Sequence, residues 1–212
     1  MITLNSEFWN NRYLDKETGW DIGYVSTPIK EYFNQVKNKE LKILIPGGGN
    51  SYEAEFLYNK GFSNTFLLDY AETPLVNFKK RNPKFPSNQL INCNFFNYQD
   101  NFDIIVEQTF FCAINPKLRK KYSEKCSDLL NKNGKIIGLL FDDKLNNEKP
   151  PFGGSKKEYK IIFKNLFNIK KMEACKNSIP QRLGKELFIN LEKKQSWKEI
   201  KKYWLLYLHV LH

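Results

Sequence analysis

Short apolar runs recur along the chain, and most of them end at a glycine, an aspartate or a polar loop. Runs of roughly four to eight apolar residues between turn-forming residues are typical of β-strands that are buried in a sheet. The pattern predicts strands at residues 41–45, 65–68, 90–93, 102–106, 136–141, 169–174 and 186–191. The run 136–141 has no polar side chain, which indicates a strand buried on both faces.

The segments between these runs carry apolar residues at the spacing of one helical face. Three such stripes are Ala54, Leu57 and Tyr58; Leu118, Tyr122, Cys126 and Leu129; and Tyr159, Ile162, Phe163 and Leu166. Each stripe predicts an amphipathic helix that packs against the sheet.

Polar residues, prolines and glycines mark the expected helix ends. Helix starts are predicted at four pairs with capping-box or cap-proline spacing, Asn50 with Glu53, Ser155 with Glu158, Thr73 before Pro74, and Asn115 before Pro116. Gly61 and Gly134 are the expected helix stops, because glycine readily adopts the left-handed conformation that ends many helices.

The alternation of strands and helices is typical of a mostly parallel sheet with helices on both faces. No helical pattern separates the last two strands, which predicts a late antiparallel hairpin. The expected fold class is therefore α/β with a seven-stranded sheet, built by residues 1–192 as one domain. Residues 1–40 are expected to form a loose arm that covers the site. Residues 193–212 form a tail with helical spacing, which either packs on the body or contacts a second copy or a membrane surface.

Composition is that of an ordinary globular protein, with 41% hydrophobic and 27% charged residues. The net charge of +11 raises the question of nucleic-acid binding. However, nearly all cations are lysines spread along the chain, and the four arginines are Arg12, Arg81, Arg119 and Arg182. Readers of bases and phosphates favour arginine forks, so a solvated basic surface with a modest attraction for anionic substrates is the better interpretation.

Cysteine and segment patterns exclude several other classes. The four cysteines, Cys93, Cys112, Cys126 and Cys175, lack C-x-x-C spacing and have no histidine cluster, so neither a metal site nor a disulfide framework is predicted. No run reaches the ~18 apolar residues of a membrane span. The first ten residues lack a basic region followed by an apolar core, so a cytoplasmic location is expected.

A candidate ligand site begins at Gly47-Gly48-Gly49, between a predicted strand and a predicted helix. Glycines there permit positive φ and a close approach of a ligand to the backbone, although the spacing is not that of the dinucleotide fingerprint. Asp69 ends the next strand, 22 residues after Gly47. An acid at that place accepts hydrogen bonds from ribose hydroxyls, so the loop and Asp69 together predict a nucleoside-containing ligand.

Longer motifs are distributed from about Phe8 to Lys193. They are Trp9 with Tyr13, Thr18-Gly19-Trp20-Asp21, Pro28, Pro46-Gly47-Gly48-Gly49-Asn50-Ser51, Phe102-Asp103-Ile104-Ile105, Phe110-Phe111-Cys112-Ala113-Ile114-Asn115-Pro116, Arg119, Pro150-Pro151-Phe152 and Ser178-Ile179-Pro180-Gln181-Arg182. In these motifs the sequence resembles the thiopurine S-methyltransferase family, which includes the plant halide and thiol methyltransferases. The resemblance implies a Rossmann-like class I methyltransferase fold with S-adenosyl-L-methionine as the cofactor. The family often has a Pro-Leu-Cys-Gly loop and a glutamate where this chain has Pro-Gly-Gly-Gly and Asp69.

The resemblance also implies a set of site residues. The cofactor would be bound by Trp9, Tyr13, Trp20, Pro46, Gly47, Gly49, Asp69, Asn94, Phe95 and Gln108. Glu107 and Gln108, at the end of the fourth strand, would be the catalytic residues facing the methionine moiety or the methyl group. Some relatives have arginine at the position of Gln108. The acceptor pocket would contain Trp20, Phe111, Phe152 and Arg182.

The expected activity is methyl transfer from S-adenosylmethionine to a small, soft nucleophile: a thiol, sulfide, thiopurine, halide or thiocyanate. Because a thiolate is already nucleophilic, the protein needs chiefly to position it and exclude water. The only histidines, His209 and His212, lie in the tail, so no histidine base is expected. The expected partner is a small molecule, without nucleic acid or membrane, and the protein is expected to be a monomer or weak homodimer.

Two alternatives remain open at this point. An RNA or protein methyltransferase of the same fold would suit the basic charge. However, Glu107-Gln108-Thr109-Phe110 stands where an asparagine-proline-proline-aromatic motif would be expected. The other alternative is a non-catalytic protein that binds the cofactor. The intact glycine loop and Asp69 argue against the loss of a former active site.

Overall fold

Seven strands form one sheet in the computed structural model, which describes residues 3–195. The strands are β1 (Ile43–Pro46), β2 (Thr65–Asp69), β3 (Leu90–Asn92), β4 (Phe102–Gln108), β5 (Leu130–Phe141), β6 (Phe167–Ala174) and β7 (Glu186–Lys193). Their order is β3-β2-β1-β4-β5-β7-β6. Strands β1 to β5 pair in parallel, whereas β7 is antiparallel to both β5 and β6. The predicted mostly parallel sheet with a late antiparallel hairpin is thus confirmed.

Helices cover both faces of this sheet. They are α1 (Ser6–Leu14), α2 (Thr27–Gln35), α3 (Tyr52–Asn59), α4 (Glu72–Arg81), α5 (Arg119–Leu129) and α6 (Lys156–Phe163). Alternate residues of β1 point to opposite faces, because the side-chain period of a strand is two. Leu44 packs in the core with residues of α5 and α6, whereas Ile43 and Ile45 pack with residues of α2, α3 and α4.

The expectation of a loose N-terminal arm is wrong, because residues 1–40 contain α1 and α2. The side chain of Asn5 caps α1 by accepting a hydrogen bond from the Phe8 N–H at 2.9 Å. Helix α2 carries a proline in its first turn and buries Ile29 and Phe33 completely. Burial of two large apolar side chains holds this part of the arm against the body.

Two of the predicted helix starts are shifted. Helix α3 is capped by Ser51 instead of Asn50, and the Ser51 side chain accepts from the Ala54 N–H at 3.4 Å. Glu53 does not complete a capping box, because its carboxylate accepts from the Ser26 N–H at 3.0 Å. Helix α4 begins after Ala71, two residues before the predicted cap Thr73. The predicted cap Ser155 is confirmed, since its side chain accepts a hydrogen bond from the Glu158 N–H in the first turn of α6. Asn115 caps a short 3-10 turn at Pro116–Leu118, which leads into α5, instead of capping α5 itself.

One of the two predicted helix stops is also wrong. Gly61 follows α3 with φ of 91°, as expected for a helix end. Gly134, in contrast, lies inside β5, because α5 ends at Leu129 and the strand begins at the next residue. The β4–β5 register shifts between Phe102 and Ile104, which accommodates the four residues after Leu130.

The described part of the chain ends just after the sheet. Lys193, expected to open the tail, is the last residue of β7. The rest of the predicted helical tail, from residue 196 onwards, lies outside the described residues. Within residues 3–195, no helix is both long enough and apolar enough to cross a membrane.

Candidate active site

A cavity of about 670 Å³ opens at the carboxyl ends of the parallel strands. Its walls come from the turns that follow β1 to β5 and from helix α1. The carboxyl edge is where ligands bind in open α/β sheets, and this volume suits a small-molecule site. Eight predicted site residues line it, namely Trp9, Tyr13, Trp20, Gly47, Asp69, Asn94, Phe95 and Arg182.

The glycine turn after β1 requires its glycines. Gly47 and Gly49 have φ of 57° and 58°, in the left-handed region that disfavours side chains. A Cβ atom on Gly47 would overlap the ring of Phe110, and one on Gly49 would overlap the hydroxyl of Tyr13. Gly49 and the buried strand end Pro46 are not among the residues that line the cavity. They help to form the turn without facing the cavity.

Asp69 links this turn to the start of α4. One carboxylate oxygen accepts from the Gly49 N–H and the other from the Ala71 N–H, both at 2.8 Å. Burial raises the pKa of Asp69 to about 6, although these two hydrogen bonds favour the charged form. Each oxygen keeps a second lone pair, which is what ribose hydroxyls need.

Three aromatic side chains cover one side of the cavity. The Trp20 ring makes edge-on contacts with Trp9 and Tyr13, each with 5.8 Å between ring centroids. Burial and nearby Asp69 hold the pKa of Tyr13 well above its ordinary value, so its hydroxyl stays neutral. The face of such a ring attracts a cation such as a sulfonium.

The turn after β3 supplies two more of the predicted cofactor-binding residues, Asn94 and Phe95. Asn94 accepts from the Phe96 N–H at 2.9 Å, which fixes the turn. Phe95 is almost fully buried and packs against Phe110 with centroids 5.3 Å apart. Both Asn94 and Phe95 line the cavity.

Glu107, predicted to face the reacting methyl group, lies behind the cavity wall and is not among its lining residues. One of its oxygens accepts from the Phe110 and Phe111 N–H groups at 2.8 Å, and the other accepts from the Tyr122 hydroxyl at 2.6 Å. Burial raises the pKa of Glu107 to about 7. The carboxylate therefore holds the loop that follows β4. Gln108 also lies off the cavity, and its buried Oε1 has no partner among the described residues.

Only some of the predicted acceptor residues line the cavity. Arg182 lines the cavity and donates from Nη2 to the Trp20 carbonyl at 2.7 Å. Phe111 is instead a core residue that packs edge-on against Tyr122. Phe152 is buried beside the cavity, where its N–H donates to the Cys112 carbonyl at 2.7 Å. Phe111 and Phe152 support the wall without lining it.

Comparison with known proteins identifies the family of the chain. Residues 4–200 match the sequence profile of thiopurine S-methyltransferase. The chain belongs to the thiopurine S-methyltransferase family. This membership, over nearly the whole chain, confirms the expected S-adenosylmethionine-dependent methyl transfer to a small substrate.

Two curated relatives show the range of this family. Thiocyanate methyltransferase 1 of Brassica oleracea is 26% identical over 209 residues, covering 93% of this chain and 87% of the relative. Thiopurine S-methyltransferase of Photobacterium profundum is 22% identical over 178 residues, covering 76% and 83%.

A solved structure supports the fold. The 1,6-didemethyltoxoflavin-N1-methyltransferase of Burkholderia thailandensis, with 1,6-didemethyltoxoflavin and S-adenosylhomocysteine bound, superposes with a TM-score of 0.69. The match covers 90% of this chain and 87% of that one at 11% identity. The Rossmann-like methyltransferase fold is thereby confirmed.

The residues of the cavity fit the cofactor of this family. The buried carboxylate at the end of β2 suits a ribose. The tight glycine turn allows the cofactor to lie close to the backbone, and the aromatic wall suits a sulfonium. Sequence reasoning missed Arg12, Cys112 and Lys149, which also line the cavity. Arg12 precedes Tyr13 in α1, and Cys112 and Lys149 stand within or beside the quoted motifs.

Proposed function

We propose that this protein transfers a methyl group from S-adenosylmethionine to a small, soft, anionic nucleophile. Thiolates, hydrosulfide, thiocyanate, halides and thiopurines are the candidate acceptors. The sulfonium supplies the methyl group together with a good leaving group. What remains for the chain is to bind, orient and desolvate the acceptor.

The observation that carries this proposal is the charge of the cavity wall. Three cations, Arg12, Lys149 and Arg182, line it, and Asp69 is the only acid among its described lining residues. The two arginines also pair with acids that do not line the cavity, so Lys149 contributes most directly to the attraction of an anion. The Asp69 carboxylate is already engaged by two backbone N–H groups beside the glycine turn. The rest of the wall therefore attracts an anion, more strongly than in water because part of the wall is apolar.

The acceptor side of the cavity is defined here as Cys112, Phe141, Lys149, Pro151 and Arg182. These residues come from the loop after β4, the end of β5, the loop before α6 and the turn before β7. Bonds between these elements fix the wall, for example between the Phe152 N–H and the Cys112 carbonyl. A small acceptor makes few contacts, so a close, fixed wall is needed to orient it for the transfer.

Helix α1 limits the size of the acceptor. Its residues Trp9, Arg12 and Tyr13 line the cavity, and its Asn10 side chain is bonded to α4. An RNA or protein acceptor would have to insert a single base or side chain beneath this helix. We therefore rank a macromolecular acceptor second.

A screen of acceptors tests the proposal. The purified full chain is incubated with S-adenosylmethionine and, separately, hydrosulfide, an alkyl thiol, an aromatic thiol, a thiopurine, thiocyanate or iodide, and S-adenosylhomocysteine is measured. Turnover of at least one of these, and none of bulk RNA, supports the proposal. Turnover of RNA alone would favour the macromolecular alternative. Cofactor binding without turnover of any acceptor would favour a non-catalytic protein.

A further inference from the structure

A second, much smaller cavity lies directly behind the acceptor side. Its volume is about 10 Å³, which corresponds to the space that one water molecule needs. Thr109, Cys112 and Phe141 line both cavities. The place of the acceptor and a site with room for one water therefore adjoin at these three residues.

Two buried carboxyl groups, those of Glu107 and Glu186, line the small cavity. The other ionisable groups around it are Cys112 and Tyr159. Burial raises the pKa of Cys112 to about 12, and its thiol lies 3.2 Å from the Thr109 carbonyl as a hydrogen-bond donor. The Tyr159 hydroxyl donates to the Phe141 carbonyl at 2.7 Å. Both of these groups therefore stay neutral near pH 7.

The two carboxyl groups differ in how they are held. Three donors bind Glu107 at 2.6 to 2.8 Å, and these donors fix the loop after β4. Glu186 has fewer partners, namely the Ser178 side chain and Arg182, whose Nη1 lies 3.7 Å from its Oε1. Its side chain is only 3% exposed, and burial raises the pKa of Glu186 above its ordinary value. Glu186 is thus the carboxylate that is freer to take up a proton.

Arg182 connects this carboxylate to the acceptor. It is the one residue that lines the large cavity and also forms an ion pair with Glu186 within the described structure. A proton that moves from the acceptor to Glu186 leaves the acceptor anionic beside the guanidinium. The charge of Arg182 is then balanced by the acceptor instead of Glu186, and the net charge of the site is unchanged.

We propose that Glu186 takes up the proton of a protonated acceptor, such as an alkyl thiol or hydrogen sulfide, through one water in the small cavity. The S–H bond of the acceptor breaks, its electron pair stays on sulfur, and the proton passes by way of the water to a Glu186 oxygen. That sulfur pair then forms the bond to the transferred methyl group as the sulfonium carbon–sulfur bond breaks. Glu186 afterwards releases the proton to solvent.

The inference rests on the proposed function and makes a distinction within it. Acceptors that carry no proton at neutral pH, such as thiocyanate, do not need Glu186. An alkyl thiol, with a pKa near ~8.5, is mostly protonated at pH 7 and does need it. A residue that merely held Arg182 in place would affect both kinds of acceptor alike.

The experiment compares Glu186→Gln with the matched control Glu192→Gln, which changes a more exposed glutamate on the same strand that pairs with Lys170. At pH 7, Glu186→Gln should lower kcat/KM for an alkyl thiol about 100-fold, the usual size of such a proton-transfer effect. It should not lower kcat/KM for thiocyanate, because Arg182 without the Glu186 charge attracts that anion at least as strongly, and Glu186→Asp should restore most of the thiol activity. Equal losses with both acceptors, or no loss with the thiol, would overturn the inference.

A readout without turnover separates this inference from the proposed function. In infrared difference spectra, an alkyl thiol added to protein saturated with S-adenosylhomocysteine should produce the band of a protonated carboxyl group. The band should persist in Glu192→Gln, vanish in Glu186→Gln and not arise with thiocyanate. A protein that binds the thiol with this band but does not methylate it would contradict the proposed function alone. Binding without the band would contradict the inference alone.

If Glu186→Gln does not fold, the inference is tested with the unaltered protein. Two alkyl thiols of different pKa should then show one shared inflection in kcat/KM against pH, because a protein group accepts the proton. Profiles displaced according to the pKa of each thiol would overturn the inference.

Discussion

The side chain of Asn10 in α1 accepts a hydrogen bond from the backbone N–H of Thr73 in α4 at 2.9 Å. Helix α4 has no side-chain cap of its own at Ala71, so α1 provides one from a distant part of the chain. The same helix places Trp9 and Tyr13 over the cavity. One hydrogen bond therefore couples the start of α4 to the aromatic wall.

The first prediction concerns this bond. Asn10→Ala should weaken S-adenosylmethionine binding roughly fivefold, the equivalent of about 1 kcal/mol for one lost hydrogen bond. Isothermal titration calorimetry measures the effect. The control is Asn11→Ala, an exposed asparagine on the same helix. Equal affinities for the two variants would show that the bond does not hold the wall in place.

The second prediction concerns Asp69. Asp69→Ala should weaken cofactor binding by ~1–3 kcal/mol, because it removes the acceptor of the Gly49 N–H and the expected acceptor of the ribose hydroxyls. Asp128→Asn, at an exposed position of α5, serves as the control. Calorimetry that finds no cofactor binding by the unaltered protein would remove the basis for the assignment.

The third prediction is a dependence of stability on pH. The pKa of Glu107 is raised to about 7 in the folded protein from 4.5, so the folded state holds this proton more tightly than the unfolded state. The free energy of unfolding should therefore fall as pH rises from about 4.5 to about 7, by roughly 3 kcal/mol, and level off above that range. Asp69, with its pKa raised to about 6, adds a slope of the same sign at lower pH.

Denaturant unfolding at pH 5 and pH 8 measures this difference. Glu107→Gln keeps an oxygen for the Phe110 and Phe111 N–H groups but has no proton to lose, so its two unfolding free energies should differ less. An unchanged difference in the variant would mean that Glu107 does not titrate in this range.

The sequence predicted the sheet well because strand and helix periods are local properties. The run 136–141 is apolar throughout and forms the second half of β5, buried on both faces. Helix starts were less predictable, since two of them depend on distant residues. Thr73 lies near the start of α4, but the bond that its N–H makes goes to Asn10, 63 residues away. Spacing along the chain contains no trace of such a contact.

The candidate site shows the same limit. Gly47 and Asp69 were recognisable because a turn and a strand end have fixed places in this fold. Glu107 also ends a strand, yet its side chain points into the core, where the Tyr122 hydroxyl reaches it. Glu186 gave no signal at all, because only the pairing of β7 with β5 brings it beside Phe141 and Cys112. Residues that meet through sheet order cannot be placed from local patterns alone.

The last prediction concerns Lys149, an exposed residue at the edge of the acceptor side. An ammonium group at this edge attracts an anionic acceptor, and reversal of its charge repels it. Lys149→Glu should raise KM for thiocyanate about fivefold at low salt, since exposed charge pairs contribute up to ~1 kcal/mol. The effect should shrink as ionic strength approaches physiological values, because salt screens exposed charges. Lys144→Glu makes the same change of net charge at another exposed position of the same loop. Steady-state kinetics over a range of salt concentrations separate the two variants: equal shifts would show that only the net charge of the protein matters, whereas a larger shift in Lys149→Glu places the anion beside this side chain.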